Sequence, residues 1–295
     1  MRVLVLGGEG MLGHQVCRRL GERFEVWATY REDPQSWVQY GDVDLARALG
    51  GVDASHFATV TSGIERIQPD AVINCIGIVK QRDEAKMAVP TIRVNSLFPH
   101  LLADLCASMD ARLIHVSTDC VFSGERGSYT EDDVPDPLDL YGRSKALGEV
   151  DRSGCLTLRT SIIGWEVKGN ASLLEWFAAQ RNRTIKGYRR VIYSGLCTAA
   201  LADVMAYVLE EQPQLSGLYH VASQPLSKYE LLTRLRDALG WTDMHVEPDD
   251  DEYCDRSLSA ARFIAATRWQ PPAWDGMIAE LAAEWPTYRG WKELF

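Results

Sequence analysis

The sequence has no cysteine pair at the spacing of a metal or redox motif. Its seven cysteines, at 17, 75, 106, 120, 155, 197 and 254, are scattered and odd in number, and no Cys-x-x-Cys occurs. That pattern excludes a disulfide framework and a zinc cluster as organising features, and leaves reduced, mostly buried thiols. The six histidines form no ligand-spaced cluster either, so no metal is expected. Positive charge is also scarce. Lys and Arg total 31 against 41 Asp and Glu, a formal net charge of −10 over 295 residues. A nucleic-acid or membrane-surface binder would show a basic face, so neither partner is expected. No apolar run approaches the ~20 residues of a membrane helix. The opening Met-Arg-Val-Leu-Val-Leu-Gly-Gly reaches glycine too soon for a signal peptide, and a cytoplasmic protein is expected. Repeats and low-complexity linkers are missing too.

What is present suits a globular α/β chain, with 46% hydrophobic and 24% charged residues. The first half alternates short apolar runs with amphipathic stretches, the pattern of parallel strands joined by crossover helices. Strands are expected at Arg2–Leu6, Glu25–Thr29, Ala71–Ile76, Arg112–Val116 and Leu156–Arg159, and helices at Met11–Leu20, Ser55–Ile67, Val89–Ser108 and Leu138–Val150. Between Arg31 and Gly51 no pattern stands out, beyond a third strand ending near Val52-Asp53. After Gly164, helical patterns at Ser172–Gln180, Ala199–Glu211 and Ser227–Leu239 alternate with weak strands such as Gly217–Val221. The acidic run Glu247–Glu252 reads as a solvated loop. The expected architecture is a Rossmann-type doubly wound parallel sheet over 1–165 and 190–222, with a smaller substrate-binding lobe from 166–189 and 223–295.

Gly7-Gly8-Glu9-Gly10-Met11-Leu12-Gly13 follows the first strand and opens a helix. Glycines at 7 and 10 permit a tight turn and the approach of a pyrophosphate to the backbone. Gly13 permits close packing of helix on strand. The end of the second strand, where an acid would bond the adenosine ribose, reads Ala28-Thr29-Tyr30-Arg31-Glu32-Asp33. Arg31 as a clamp on a 2′-phosphate favours NADP(H). The alternative is a solvated Arg31, with Glu32 or Asp33 on the ribose.

Tyr141 and Lys145 stand at i and i+4, on one face of a helix. A phenol titrates near ~10, and a cationic lysine one turn away is expected to lower that value toward the range of proton transfer. Tyr288 and Lys292 repeat the spacing. They lie near the C-terminus, with no cofactor turn or partner residues beside them in sequence, and read as structural. Tyr141 instead follows Ser117-Thr118-Asp119 at the carboxyl end of an apolar strand, where ligands bind in open α/β sheets. The tryptophans of the C-terminal half (241, 269, 274, 285 and 291) read as packing, and Cys120 as a space-filling thiol.

These motifs, together with Ile73-Asn-Cys-Ile-Gly77, Val94-Asn95, Ser117-Thr-Asp-Cys-Val-Phe-Ser-Gly124 and Leu158-Arg-Thr-Ser161, make the chain resemble the extended short-chain dehydrogenase/reductases of the dTDP-4-dehydrorhamnose reductase branch. The resemblance implies a catalytic triad of Thr118, Tyr141 and Lys145. It implies cofactor contacts from Gly7, Gly10, Met11, Leu12, Gly13, Arg31, Asp53, Cys75, Gly77 and Asn95, besides Tyr141 and Lys145. Asp119, Ile162 and Arg256 fall on the substrate side. Related dehydratases carry a glutamate after the aspartate where this chain has Cys120, which argues against dehydration. Ile162 stands where a tryptophan is usual. The resemblance therefore implies an NADPH-dependent reductase of the C4 ketone of a dTDP- or UDP-linked deoxysugar, serving cell-surface polysaccharide biosynthesis, and it allows a homodimer. An epimerase of the same fold and a non-catalytic regulatory homologue are the alternatives.

Overall fold

A computed structural model describes residues 1–41, 43–81 and 83–293. Its strands are β1 (Arg2–Leu6), β2 (Glu25–Thr29), β3 (Ala48–Leu49), β4 (Ala71–Asn74), β5 (Arg112–Thr118), β6 (Cys155–Thr160), β7 (Ile162–Ile163), β8 (Thr184–Tyr193), β9 (Leu196–Cys197), β10 (Gly217–His220), β11 (Leu226–Ser227) and β12 (His245–Asp255). Its helices are α1 (Gly13–Leu20), α2 (Phe57–Ile67), α3 (Ala88–Ile92), α4 (Phe98–Ser108), α5 (Leu140–Leu147), α6 (Leu173–Ala178), α7 (Thr198–Glu211), α8 (Lys228–Ala238), α9 (Ala261–Thr267) and α10 (Trp274–Lys292). Seven strands form one parallel sheet in the order β10-β6-β5-β4-β1-β2-β3. The order reverses between β1 and β4, which opens a crevice at their carboxyl ends. No helix among the described residues is long and apolar enough to cross a membrane.

Alternation along β1 explains the two layers of core. Val3 and Val5 point to the face covered by α1 and α7, whereas Leu4 and Leu6 face α2 and α4. All four are fully buried, as strands covered on both faces require. β11, β8 and β12 form a second, three-stranded sheet, with α8 packed beside it. α8 is started by a capping box in which Ser227 and Glu230 satisfy each other's backbone N–H groups.

The structure departs from the sequence expectations at several places, beyond element ends that differ by two or three residues. β5 runs two residues beyond Val116, because Ser117 and Thr118 stay in register with Arg159 and Thr160 of β6. The single helix expected over Val89–Ser108 is broken by a π turn at Arg93–Leu97, which directs Asn95 and Ser96 toward α5. β3 ends at Leu49, and the segment before it forms a 3₁₀ helix, Pro34–Tyr40. Trp37 and Tyr40 bury themselves there; the Lys168 ammonium lies 3.9 Å from the Trp37 ring centre. The acidic run is part of β12, not a loop. Strand β8 presents a basic face to it, so Lys186 pairs with Asp249 and Arg189 with Asp250 across the ladder, and the register slips between Asp249 and Tyr253.

The last helix returns to the first. Tyr288 on α10 is buried, pairs with His14, and accepts from Gln15 Nε2 at 3.0 Å. Trp165 Nε1 donates to Leu281 O at 2.8 Å. The second Tyr-x-x-x-Lys copy thus serves packing. Tyr288→Phe leaves polar groups of α1 short of a partner and is expected to lower unfolding free energy by about 1–2 kcal/mol. A urea melt with a lower midpoint and unchanged slope is the expected result.

Candidate active site

The glycine turn lies at the carboxyl end of β1. Gly7 has φ +83°, and a Cβ on Gly13 would come within 2.0 Å of Gly7 O. A side chain at either position would open the turn, so α1 can begin hard against the strand only with glycine there. The loop after β4 closes the other wall. Cys75 N donates to Leu6 O, and Ile76 packs on Gly7. Gly10 is different. A Cβ there would meet only Gly7 O, at 3.3 Å, so its outer side is free for a ligand. This cradle, at a helix N-terminus and the sheet's switch point, fits a dinucleotide pyrophosphate.

The expected cofactor residues divide by what their side chains do. Gly77 and Met11 border this loop region, whereas Leu12 is buried in the core and offers only its backbone. Asn95 is fully used: it donates to Ile78 O and Ser144 Oγ and accepts from Ile78 N at 2.9 Å. It positions the loop after β4 against α5. Asp53 accepts from Ser55 N at 2.8 Å and from His56, shaping the turn into α2. Burial acts to raise its pKa, but these bonds outweigh it and the value falls. Arg31 follows β2 with its side chain 65% exposed.

Thr118 and Tyr141 hydrogen-bond each other at the carboxyl end of β5, two strands from the cradle, and Lys145 lies one turn along α5 from Tyr141. Asp139 caps α5 by accepting from Gly142 N at 2.8 Å. A Cβ on Gly142 would fall 2.2 Å from Cys120 O, so the glycine of the Tyr-Gly-x-x-Lys stretch lets α5 lie directly on the turn after β5. Thr118 Oγ1 accepts from Cys120 N at 3.1 Å, which fixes that turn. Burial raises the Tyr141 pKa, nearby Cys120 adds to this, and the hydrogen bond with Thr118 opposes it. Lys145 Nζ donates to Val116 O at 2.7 Å. Burial draws its pKa down to about 8, opposed by Glu149. The expected lowering of the phenol by this lysine is therefore not what the structure displays: Tyr141 holds its proton firmly, and the ammonium is engaged by a backbone carbonyl.

Of the residues expected on the substrate side, Asp119 lies near the Arg256 guanidinium and is bonded by Cys120, Thr118 and Ser161; burial still raises its pKa. Arg256 is fixed by donating to Phe122 O and Ser123 O. Ile162, next to Ser161, opens β7 and is half-buried. Burial pushes the Cys120 thiol up to about 12, so it is an inert filler.

Sequence reasoning missed the support beneath the triad. Glu149 and Arg159 form a two-pronged pair with both contacts at 2.7 Å, their side chains only 8% and 5% exposed. Ser117 Oγ donates to the same carboxylate at 2.6 Å. The signal was present, since Glu149 stands four residues after Lys145. Glu9 was also missed, inside the glycine turn.

The seven-stranded parallel Rossmann sheet with its glycine turn after β1 is the fold of the extended short-chain dehydrogenase/reductases. The family model described as RmlD substrate binding domain matches residues 1–270, and the chain belongs to that family of dTDP-4-dehydrorhamnose reductase-like oxidoreductases. It is 28% identical over 250 residues to a dTDP-4-dehydrorhamnose reductase of Aggregatibacter actinomycetemcomitans, covering 80% of this chain and 78% of that one. It is 27% identical to methionine adenosyltransferase 2 subunit beta of Xenopus tropicalis, covering 85% and 76%. Among solved structures, a hypothetical dTDP-4-dehydrorhamnose reductase from Sulfolobus tokodaii superposes with a TM-score of 0.75 at 26% identity, covering 94% and 99%.

Two outcomes test this geometry. Gly10→Val fills the open side of the cradle, so dinucleotide binding is expected to disappear while the cooperative melt is kept. Glu149→Gln removes the charge that supports Lys145. The lysine then loses its proton at lower pH, and the alkaline limb of the rate profile is expected to move down, with about 3–5 kcal/mol of stability lost.

Proposed function

We propose that the chain is an NADPH-dependent reductase of the C4 ketone of a nucleotide-activated deoxysugar. The observation that carries this reading is the hydrogen bond between Thr118 and Tyr141 at the carboxyl end of β5, with Lys145 one helical turn further along, in a chain that has Cys120 after the aspartate where related dehydratases carry a glutamate. The sequence likeness to a dTDP-4-dehydrorhamnose reductase supports the substrate class. Gly7, Gly10 and Gly13 would hold the pyrophosphate and Arg31 the 2′-phosphate. When bound, the dinucleotide supplies the hydride.

The protein's own part is to position the ketone and protonate its oxygen. Tyr141 keeps its proton at neutral pH and donates it as negative charge develops on the oxygen. Thr118 hydrogen-bonds the same oxygen, a preorganised contact that gains strength as the charge grows. Lys145, oriented by Val116 O, would hold the nicotinamide ribose and place its positive charge near the transferred proton. Asp119 and Arg256 would fix the sugar and its diphosphate.

Likeness to a subunit of a different enzyme favours a second reading, in which the chain assists a partner and turns over nothing itself. The triad's retention weighs against it. Tyr141→Phe decides between them. The first reading requires wild-type NADPH oxidation with a dTDP- or UDP-4-keto-6-deoxysugar, and a loss of about 10²–10⁴-fold in the variant with cofactor binding retained. Absence of turnover in the wild type across both nucleotides would overturn it.

A further inference from the structure

Each reduction that protonates a ketone from Tyr141 leaves a phenolate, which must regain a proton before the next turnover. The hydrogen bond of this phenol is to Thr118, whereas Lys145 Nζ is given to Val116 O at 2.7 Å. Thr118 is buried, and its Oγ1 accepts from Cys120 N at 3.1 Å and donates to Asp119 Oδ1 at 3.2 Å. A hydroxyl between a carboxyl and a phenol can pass a proton from one to the other, by accepting one and giving up its own. Asp119 suits the supplying side. Burial raises its pKa against the Arg256 charge and the bonds from Cys120, Thr118 and Ser161, so it holds its proton to higher pH than an exposed aspartate does. It is only half-buried, so water reaches it.

We propose that Asp119 returns to Tyr141, through the Thr118 hydroxyl, the proton that each reduction consumes. The proposal rests on the reductase reading above and adds the step that completes its proton cycle. The Asp119 O–H bond breaks as Thr118 Oγ1 takes that proton, the Thr118 proton passes to the Tyr141 phenolate, and a carboxylate is left at Asp119. No electrons change hands, and water then reprotonates the carboxylate. A phenolate is a far stronger base than a carboxylate, so the transfer runs toward Tyr141. The charged and titratable groups facing Asp119 are Arg256 just after β12, Lys228 at the start of α8, Tyr193 on β8, Tyr141 on α5 and Cys120 in its own turn. The two cations among them favour the carboxylate that the transfer leaves behind.

Rapid mixing of the NADPH-loaded protein with a dTDP- or UDP-4-keto-6-deoxysugar separates the first turnover from the steady state. Asp119→Asn keeps the shape of the side chain and an acceptor for Thr118, and removes the transferable proton. The expected result is a first turnover close to wild type, because Tyr141 enters it protonated, followed by a steady-state rate lowered about 10²-fold. An intact first turnover also shows that the variant is folded. The wild-type steady-state rate is expected to fall as rising pH strips Asp119 of its proton, with that limb missing in Asp119→Asn. A second readout needs no turnover. In the unliganded wild type, the infrared carbonyl band of a protonated carboxyl is expected to persist above the pH at which exposed carboxyls lose theirs, and to vanish from the spectrum of Asp119→Asn. Equal loss in both phases, wild-type rates in both, or no band belonging to Asp119 would overturn the relay and leave the reductase reading standing. Absence of wild-type turnover with either sugar nucleotide would overturn both.

Discussion

A guanidinium buried at the end of a parallel sheet carries a large desolvation cost unless an anion meets it with good geometry. Arg159 is in that position on β6, and Glu149 meets it with two parallel contacts. The pair does more than satisfy itself. Glu149 also takes the Ser117 hydroxyl from β5, and Arg159 lies against His220 of β10 and over the Phe122 ring. Three strands and the end of α5 are thereby fixed to one another just below the triad. If that register slipped, Tyr141 would leave Thr118 and Lys145 would leave Val116.

The same site depends on close backbone approach. Gly142 lets α5 touch the turn that carries Asp119 and Cys120, and Asn95, displaced inward by the π turn, joins α5 to the loop after β4. The loop after β4 and helix α5 are therefore one mechanical unit. Neither could be repositioned without breaking the buried bond from Asn95 to Ser144 and the bonds between Asn95 and Ile78.

Much of this was legible in the sequence where pattern and chemistry coincide. β1, β2 and α7 follow apolar periodicity, and the glycine spacing marks the turn at the end of β1. The triad was legible because three unusual residue types fall at strand and helix positions that an α/β sheet brings together. What was not legible arose from tertiary contact. Nothing local marks Arg93–Leu97 as a π turn, because its cause is the fit of Asn95 and Ser96 to α5. The segment around Trp37 gave no period because its aromatic residues are ordered by Lys168 and Trp291, distant in sequence. Charge misled at Glu247–Glu252, where six mostly acidic residues read as solvated until the basic strand β8 is placed beside them.

Net charge also says less about ligands than its local arrangement. The chain carries −10 overall, a balance that disfavours polyanions at long range. Yet Arg256, Lys80 and Lys228 all lie within electrostatic reach of Cys120 at the substrate side of the triad. Burial lowers the Lys228 pKa, and no hydrogen bond or ion pair engages it among the described residues. Lys80 is held by Asp139 at 2.8 Å, the residue that caps α5. These three cations stand against two acids, Asp119 and Asp139, in partly buried surroundings where charges are screened least. The local field at this site thus depends on where a few positive charges lie and not on how many the sequence contains.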